Sequence, residues 1–129
     1  NLYAKRDWGH AKDYVIAMWK ILQVKKADDF VIATNKQFSI KEFINLVAQE
    51  LKLKLNWRGK GLNEIGYTSK GKVVIRISKR YFRPLDVNNL KGNYSKAKKI
   101  LKWKPKVSFD ELVKDMVDSD MKSITNRDF

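Results

Sequence analysis

A small α/β unit with short strands and about four helices is predicted by three features of the sequence. Two capping-box signatures open runs of helical periodicity, one stretch alternates apolar and polar residues, and brief β-branched runs too short for helices lie between them. The 129 residues amount to one domain, and residues 1–129 are read as a single unit with no internal repeat and no Pro/Gly linker.

From Asp13 the apolar positions Tyr14, Ala17, Met18, Ile21 and Leu22 fall at helical spacing, with an end expected near Lys25-Lys26, where cations suit a helix C-terminus. Phe30-Val31-Ile32-Ala33 is too short and too β-branched for a helix and predicts a buried strand. Ser39-Ile40-Lys41-Glu42 is a capping box, and the helix behind it carries Ile40, Phe43, Ile44, Val47 and Leu51. Leu53, Leu55 and Trp57 alternate with Lys54 and Asn56, the period of a half-buried strand. Gly59, Gly61 and Gly66 mark an irregular loop, and Val73 to Ile77 gives the strongest strand signal. Pro84 disfavours the α region for Arg83, so Arg83-Pro84-Leu85-Asp86 is expected to be extended or turned. Asn93 is the expected cap of a short helix bearing Ala97, Ile100 and Leu101, which Trp103-Lys104-Pro105 ends. Ser108-Phe109-Asp110-Glu111 opens a last helix with Phe109, Leu112, Val113, Met116 and Val117 on one face, and Ser123 to Phe129 is expected to fray.

Composition removes several classes of function. Without cysteine there is no disulfide scaffold, thiolate nucleophile or Cys-ligated metal. No run reaches the length of a membrane span and Asn1 to Arg6 lacks a signal-peptide core, so the chain reads as soluble and cytoplasmic, with no membrane partner. The net charge of +14 comes from 22 lysines against 6 arginines, and the lysines sit on polar helix faces, as at Lys96, Lys98, Lys99 and Lys102. That pattern favours a solvated surface over a nucleic-acid footprint, because base and phosphate readout prefer the arginine fork. A stand-alone basic module for nucleic acid or another polyanion is the alternative.

The inventory for catalysis is short. His10 is the one histidine, and Asp115, Asp118 and Asp120 read as a solvated helix end, so no metal site is expected. Gly59-Lys60-Gly61 lacks the strand-then-helix context of a dinucleotide fingerprint and reads as a turn, while the Tyr-x-x-x-Lys spacing of Tyr94 and Lys98 reads as coincidence. Arginines are few enough to be informative. Arg6 lies beside Asp7 and Trp8, and Arg83 precedes Asp86 by three residues. A guanidinium fork suits a diphosphate and a carboxylate suits ribose hydroxyls, although a local ion pair with the neighbouring Asp accounts for the same residues equally well.

Asn1 to Val15, with its Arg6-Asp7-Trp8-Gly9-His10-Ala11-Lys12-Asp13-Tyr14 run, closely resembles the segment that follows the coenzyme domain in the GDP-mannose 4,6-dehydratase family of extended short-chain dehydrogenases/reductases. Asp29 to Thr34, Ser39 to Phe43, Arg80 to Pro84, Ser95 to Lys98 and Trp103 to Lys106 continue the likeness in order over nearly the whole chain. The resemblance implies the C-terminal substrate-binding lobe of such an enzyme, without its Rossmann core. It implies an NADP-dependent lyase that converts GDP-mannose to GDP-4-keto-6-deoxymannose, the precursor of GDP-fucose. The hydride goes from C4 to NADP, water leaves across C5 and C6, and the hydride returns to C6. Carried over position by position, the substrate-binding residues are Arg6 and Arg83 toward the diphosphate and Asp86 toward the ribose. His10 and Asp13 match a step taken as structural.

Asp86 stands where the family usually has Glu, Asn35 where Gly is usual and Asn93 where Asp is usual. The coenzyme loop and catalytic groups of the family would lie before Asn1. The resemblance therefore implies no catalytic residue in this chain, no productive NADP binding by it alone, a missing N-terminal NADP-binding domain as partner, and a homo-oligomer. Leu53, Leu55, Trp57 and Trp8 are the apolar residues expected to meet that missing domain.

Overall fold

The computed structural model describes residues 1–83 and 85–125. The elements in order are β1 (Lys5–Arg6), α1 (Ala11–Ile21), β2 (Phe38–Ser39), α2 (Ile40–Glu50), β3 (Leu55–Arg58), a 3-10 turn (Gly61–Asn63), β4 (Ile65–Thr68), β5 (Val73–Arg76), α3 (Ser95–Leu101) and α4 (Phe109–Thr125). β1 and β2 form an antiparallel ribbon, and β3, β4 and β5 an antiparallel meander with Trp57 opposite Gly66 and Gly66 opposite Ile75. The predicted class, short strands with four α-helices, is the one observed.

Both capping boxes form. Ser39 Oγ accepts from the Glu42 amide at 3.1 Å while Glu42 Oε2 accepts from the Ser39 amide at 2.6 Å, and Ser108 and Glu111 repeat the pattern at 3.2 and 2.8 Å. The hydrogen bonds from each serine, side chain and amide, hold both glutamates below the usual carboxylate range. Ser39→Ala is expected to destabilise the chain by about 1 kcal/mol in a denaturant titration, since an amide of α2 loses its acceptor.

Two apolar clusters make the core. In one, α1 meets α3 through Ala17 and Ala97, both fully buried, with Leu101 and Trp103 beside them. Small residues at the contact let the helix backbones approach closely. Lys102 adopts a left-handed conformation (φ 51°) that ends α3 and swings Trp103 inward, where its Nε1–H donates to the Asp13 carbonyl at 2.9 Å. In the other, Phe109, Leu112 and Val113 of α4 pack on Phe43, Leu46 and Val47 of α2. Phe38 stacks on Phe109 at 3.9 Å and Trp8 on Phe43 at 4.9 Å, joining the β1–β2 region to this cluster. Asp13, buried at the start of α1, ties the clusters together by accepting from the Lys106 and Val107 amides at 2.8 and 2.9 Å.

Several local expectations are corrected. Phe30 to Ala33 form no strand, because no neighbouring strand among the described residues offers them a ladder. β4 begins at Ile65, inside the span read as an irregular loop, because pairing with β3 and β5 on both sides overrides the low strand propensity of Gly66. Gly59 keeps its turn role: at φ 85° a Cβ there would sit 2.3 Å from the Asn63 carbonyl oxygen. α1 starts at Ala11 and stops at Ile21, short of Lys25, and Met18 and Leu22 face solvent at 63% and 80% exposure. Ile100 and Met116 are likewise exposed. Asn93 does supply a cap, its Oδ1 accepting from the Ser95 amide at 2.9 Å, one residue outside the boundary residue Tyr94. α4 runs through Ser123 to Thr125, beyond the expected fraying point, while residues 126–129 and Pro84 lie outside the described residues.

Candidate functional site

β1 carries Arg6 at the junction of the N-terminal ribbon and the irregular segment that follows β5. The Lys5 amide donates to the Asn88 carbonyl at 2.8 Å and the Leu90 amide to the Lys5 carbonyl at 3.2 Å, so residues 88–90 run alongside β1. Arg6 completes the attachment. Its Nη2 donates to Asp86 Oδ1 at 2.6 Å, and its Nη1 donates to the carbonyls of Val87 and Lys5 at 2.6 and 2.8 Å. Both partners of this ion pair are about three-quarters buried. The guanidinium is therefore held in one orientation by three acceptors, which fixes where its remaining donors point.

Arg83 lies in the same turn, its carbonyl accepting from the Asp86 amide at 3.3 Å, with its side chain exposed. The structure thus pairs Arg6 with Asp86 across 80 residues of sequence, in place of the neighbouring-residue pairs that the sequence offered, and leaves the Arg83 side chain in solvent.

Asp7 pairs with neither arginine. Its Oδ1 accepts from the Thr34 amide and hydroxyl at 2.7 and 2.6 Å, and its Oδ2 from the amides of Asn35 and Gly92 at 3.0 and 3.3 Å. One carboxylate so joins β1 to two loops. The geometry needs Asn35 at φ 62°, which Asn tolerates, and Gly92 without a side chain, because a Cβ there would fall 2.2 Å from the Ala33 Cβ. Arg6, Asp7, Tyr14, Ile32 and Lys91 border an open groove of ≈ 360 Å³ at this junction. Burial, then the nearby carboxylates of Asp7 and Asp13, push the Tyr14 hydroxyl above its usual range. Sequence reading found Arg6 and Asp86 but missed the Asp7 clamp. Its signal in the sequence was the Thr34-Asn35 turn, whose amides are donors in need of an acceptor that Asp7 supplies.

His10 caps α1, its Nδ1 accepting from the Lys12 amide at 3.1 Å, and its Nε2 lies 2.9 Å from Asp115 Oδ2. With Nδ1 accepting, Nε2 carries the proton and donates. That hydrogen bond, then the Lys12 charge, lowers the Asp115 carboxyl below its usual range. His10 and Asp13 are thus fully engaged in architecture, as the sequence implied. Tyr94 and Lys98 are not assembled as an acid/base pair: Tyr94 packs edge-on against Trp103 at 5.8 Å and Lys98 is exposed. Among the described residues no three of His, Cys, Asp and Glu converge as a metal cage, and no helix is long and apolar enough to cross a membrane.

Residues 1–116 match the family model described as GDP-mannose 4,6 dehydratase. The chain belongs to that family. It is 54% identical over 121 residues to GDP-mannose 4,6 dehydratase 2 of Caenorhabditis elegans, a match over 94% of this chain and 32% of the relative. The GDP-mannose 4,6 dehydratase of Dictyostelium discoideum is 50% identical over 129 residues, covering 99% and 36% respectively. The Homo sapiens enzyme of the same name is 48% identical over 94% of this chain and 33% of its own length. The chain therefore spans about a third of the curated relatives it matches. Among solved structures, the fold is shared with UDP-glucose 4-epimerase of Thermotoga maritima, determined with UDP-glucose (TM-score 0.71, 22% identity, 96% of this chain and 34% of that one). RMD of Pseudomonas aeruginosa, complexed with NADPH, shares it too (TM-score 0.66, 15% identity, 92% and 33%). Membership of the dehydratase family, a family of lyases, gives no support to a stand-alone basic module.

Proposed function

We propose that this chain is the substrate-binding portion of a GDP-mannose 4,6-dehydratase, in which Arg6 and Arg83 receive the diphosphate of GDP-mannose and Asp86 a ribose hydroxyl. The observation that carries this reading is the Arg6–Asp86 pair at 2.6 Å beside the solvent-facing Arg83. A buried-side anchor leaves part of the Arg6 fork for a ligand, and Arg83 brings a second, mobile-stemmed cation to the same turn. Asp86 Oδ1 is committed to Arg6, which leaves Oδ2 as the acceptor for a sugar hydroxyl. The shorter Asp in place of the usual Glu makes a water-bridged contact sufficient.

NADP is the cofactor of the activity proposed, and it would supply the hydride acceptor. The one glycine-rich turn that suggests a coenzyme loop does not fit it: Gly59-Lys60-Gly61 leads from antiparallel β3 into a 3-10 turn, not from a parallel strand into an α-helix. Coenzyme binding and the catalytic groups are accordingly assigned to an N-terminal domain outside these residues, and the chain alone is expected to be inactive in a cytoplasmic pathway of nucleotide-sugar metabolism. Incubation of the purified 129-residue chain with NADP and GDP-mannose is expected to give no 4-keto product; turnover would overturn this assignment.

The site itself is tested in the family-length enzyme. Arg83→Ala, which removes no side-chain hydrogen bond or ion pair among the described residues, and Arg6→Ala should each weaken GDP-sugar binding by about 1.5–3 kcal/mol by calorimetry, the worth of a charge-assisted hydrogen bond. Unchanged affinity in both variants would exclude the site. Arg6→Lys should recover little, since an ammonium cannot satisfy three planar acceptors and a phosphate together.

A further inference from the structure

The segment that follows Arg83 owes little of its placement to apolar burial. Val87 and Leu90 are 53% and 50% exposed, and Asn88, Asn89 and Lys91 face solvent as well. Polar anchors hold it, and among the described residues they come from three consecutive positions at β1. Lys5 pairs its backbone with Asn88 and Leu90, Arg6 grips Asp86 and the Val87 carbonyl, and Asp7 accepts from the Gly92 amide.

The three anchors differ in kind. Those of Lys5 are backbone pairs at the middle of the segment, and the Arg6 fork has donors left over for a ligand. Asp7 has nothing left over. Its Oδ1 accepts from the Thr34 amide and hydroxyl and its Oδ2 from the Asn35 and Gly92 amides, so four donors fill both oxygens. A carboxylate so occupied is in no position to receive a hydroxyl or a cation from a ligand; it fixes the groups around it. The three bonds to Thr34 and Asn35, at 2.6 to 3.0 Å, hold the carboxylate, and the fourth, at 3.3 Å, reaches across to Gly92. Gly92 closes the segment that Asp86 opens, so Arg6 and Asp7, adjacent in sequence, secure its two ends.

We infer that Asp7 is a positioning residue for a nucleoside-diphosphate site: by fixing the Gly92 end of the segment, it sets how far Arg83 and Asp86 stand from Arg6. This rests on the proposed function, in which those three residues receive GDP-mannose. The role requires a carboxylate. An asparagine in its place would turn an NH2 donor toward one of the two donor pairs, so one side of the clamp would open. With Gly92 released, the segment keeps its backbone pairs to Lys5 and pivots on them, and a guanidinium fork tolerates little displacement from a diphosphate.

The test uses a family-length enzyme in which this chain replaces the matching third of the Caenorhabditis elegans relative. Asp7→Asn should raise KM for GDP-mannose and Kd for GDP about tenfold each, with kcat changed by less than about threefold. An unchanged KM would overturn the inference. In a double-mutant cycle, Arg83→Ala should weaken GDP binding about tenfold or more in the parent enzyme and less than about threefold in Asp7→Asn, because a displaced Arg83 has no contact left to lose. Additive losses would also overturn it. Ser108→Ala, which removes the cap of α4, is the control: it should lower the unfolding midpoint and leave KM as it was. A KM raised equally by that control would reduce the Asp7 effect to lost stability and sink the positioning role. If Asp7→Asn does not fold, Thr34→Val removes the hydroxyl donor alone and should raise KM about twofold to threefold at constant kcat; no rise would count as failure. Failure of the ligand site is read separately. Arg83→Ala without effect in the parent enzyme would remove both readings, whereas Arg83-dependent binding that ignores Asp7 would remove the positioning role alone.

Discussion

Trp103→Ala should destabilise the chain by about 3–5 kcal/mol, the range for removing a large aromatic from a packed core. Trp103 is 2% exposed and sits where α1 meets α3, against Ala17, Ala97 and Leu101, with Tyr94 edge-on to its ring. Alanines surround the indole on two helices, and alanine side chains cannot move to fill the space it would leave. The substitution also frees the Asp13 carbonyl, which accepts the indole N–H in a buried position. Trp103→Phe separates the two contributions. It keeps most of the ring volume and should cost ~1 kcal/mol for the hydrogen bond, plus a smaller packing deficit. Guanidinium titrations followed by circular dichroism measure both. A loss below 1 kcal/mol for Trp103→Ala would mean that α1 and α3 are not packed as described.

Lys41→Met is expected to cost about 3 kcal/mol or more, because it strands a buried carboxylate. Glu64 is 2% exposed, and its Oε1 accepts from Lys41 Nζ at 2.6 Å and from the Tyr3 hydroxyl at 3.0 Å. The ammonium also lies 4.7 Å from the Trp57 ring and 5.2 Å from that of Tyr3, within reach of both aromatic faces. The pair links the N-terminus, α2 and the residue leading into β4, so its loss should loosen the meander from the rest of the fold. Lys41→Met with Glu64→Leu should recover much of the loss, since two apolar groups of matched volume avoid the desolvation that a lone carboxylate suffers.

The same pair sets a pH window. The Lys41 hydrogen bond holds Glu64 below its ordinary value of 4.5, so its contribution is complete above that value and declines as pH falls through the lowered one. The Glu64 hydrogen bond raises Lys41 above its ordinary 10.5, so its contribution is complete below that value and is lost as pH rises through the raised one. Stability measured against pH should therefore form a plateau between the two limits, and the acid limb should flatten in the double variant. An unaltered acid limb would place the titration elsewhere.

Elements specified by bonds that close within a few residues were legible in the sequence. The capping boxes at Ser39 and Ser108 are four residues long, and both form with the expected reciprocal geometry. β3 and β5 were legible because alternation and β-branching are local properties. The pairing of β4 was not, since Gly66 in isolation argues against a strand and only its two neighbours argue for one. Arg6 and Asp86 could be picked out as residue types suited to a nucleotide, but nothing local says that they meet each other across 80 positions.

Sequence by itself determined the α/β class, the capped starts of α2 and α4, the absence of thiol chemistry and, through ordered likeness, the family. Tertiary structure alone decided that Asp7 clamps the Thr34-Asn35 turn and Gly92 in preference to pairing with an arginine. It also decided that Met18 and Trp19 face outward and that Phe30–Ala33 remains an edge without a strand partner among the described residues. The physical reason is one of range. A helix cap or a strand alternation is satisfied by atoms a few residues away, whereas a buried carboxylate, an unpaired amide or an apolar helix face is satisfied by whatever the fold brings to it.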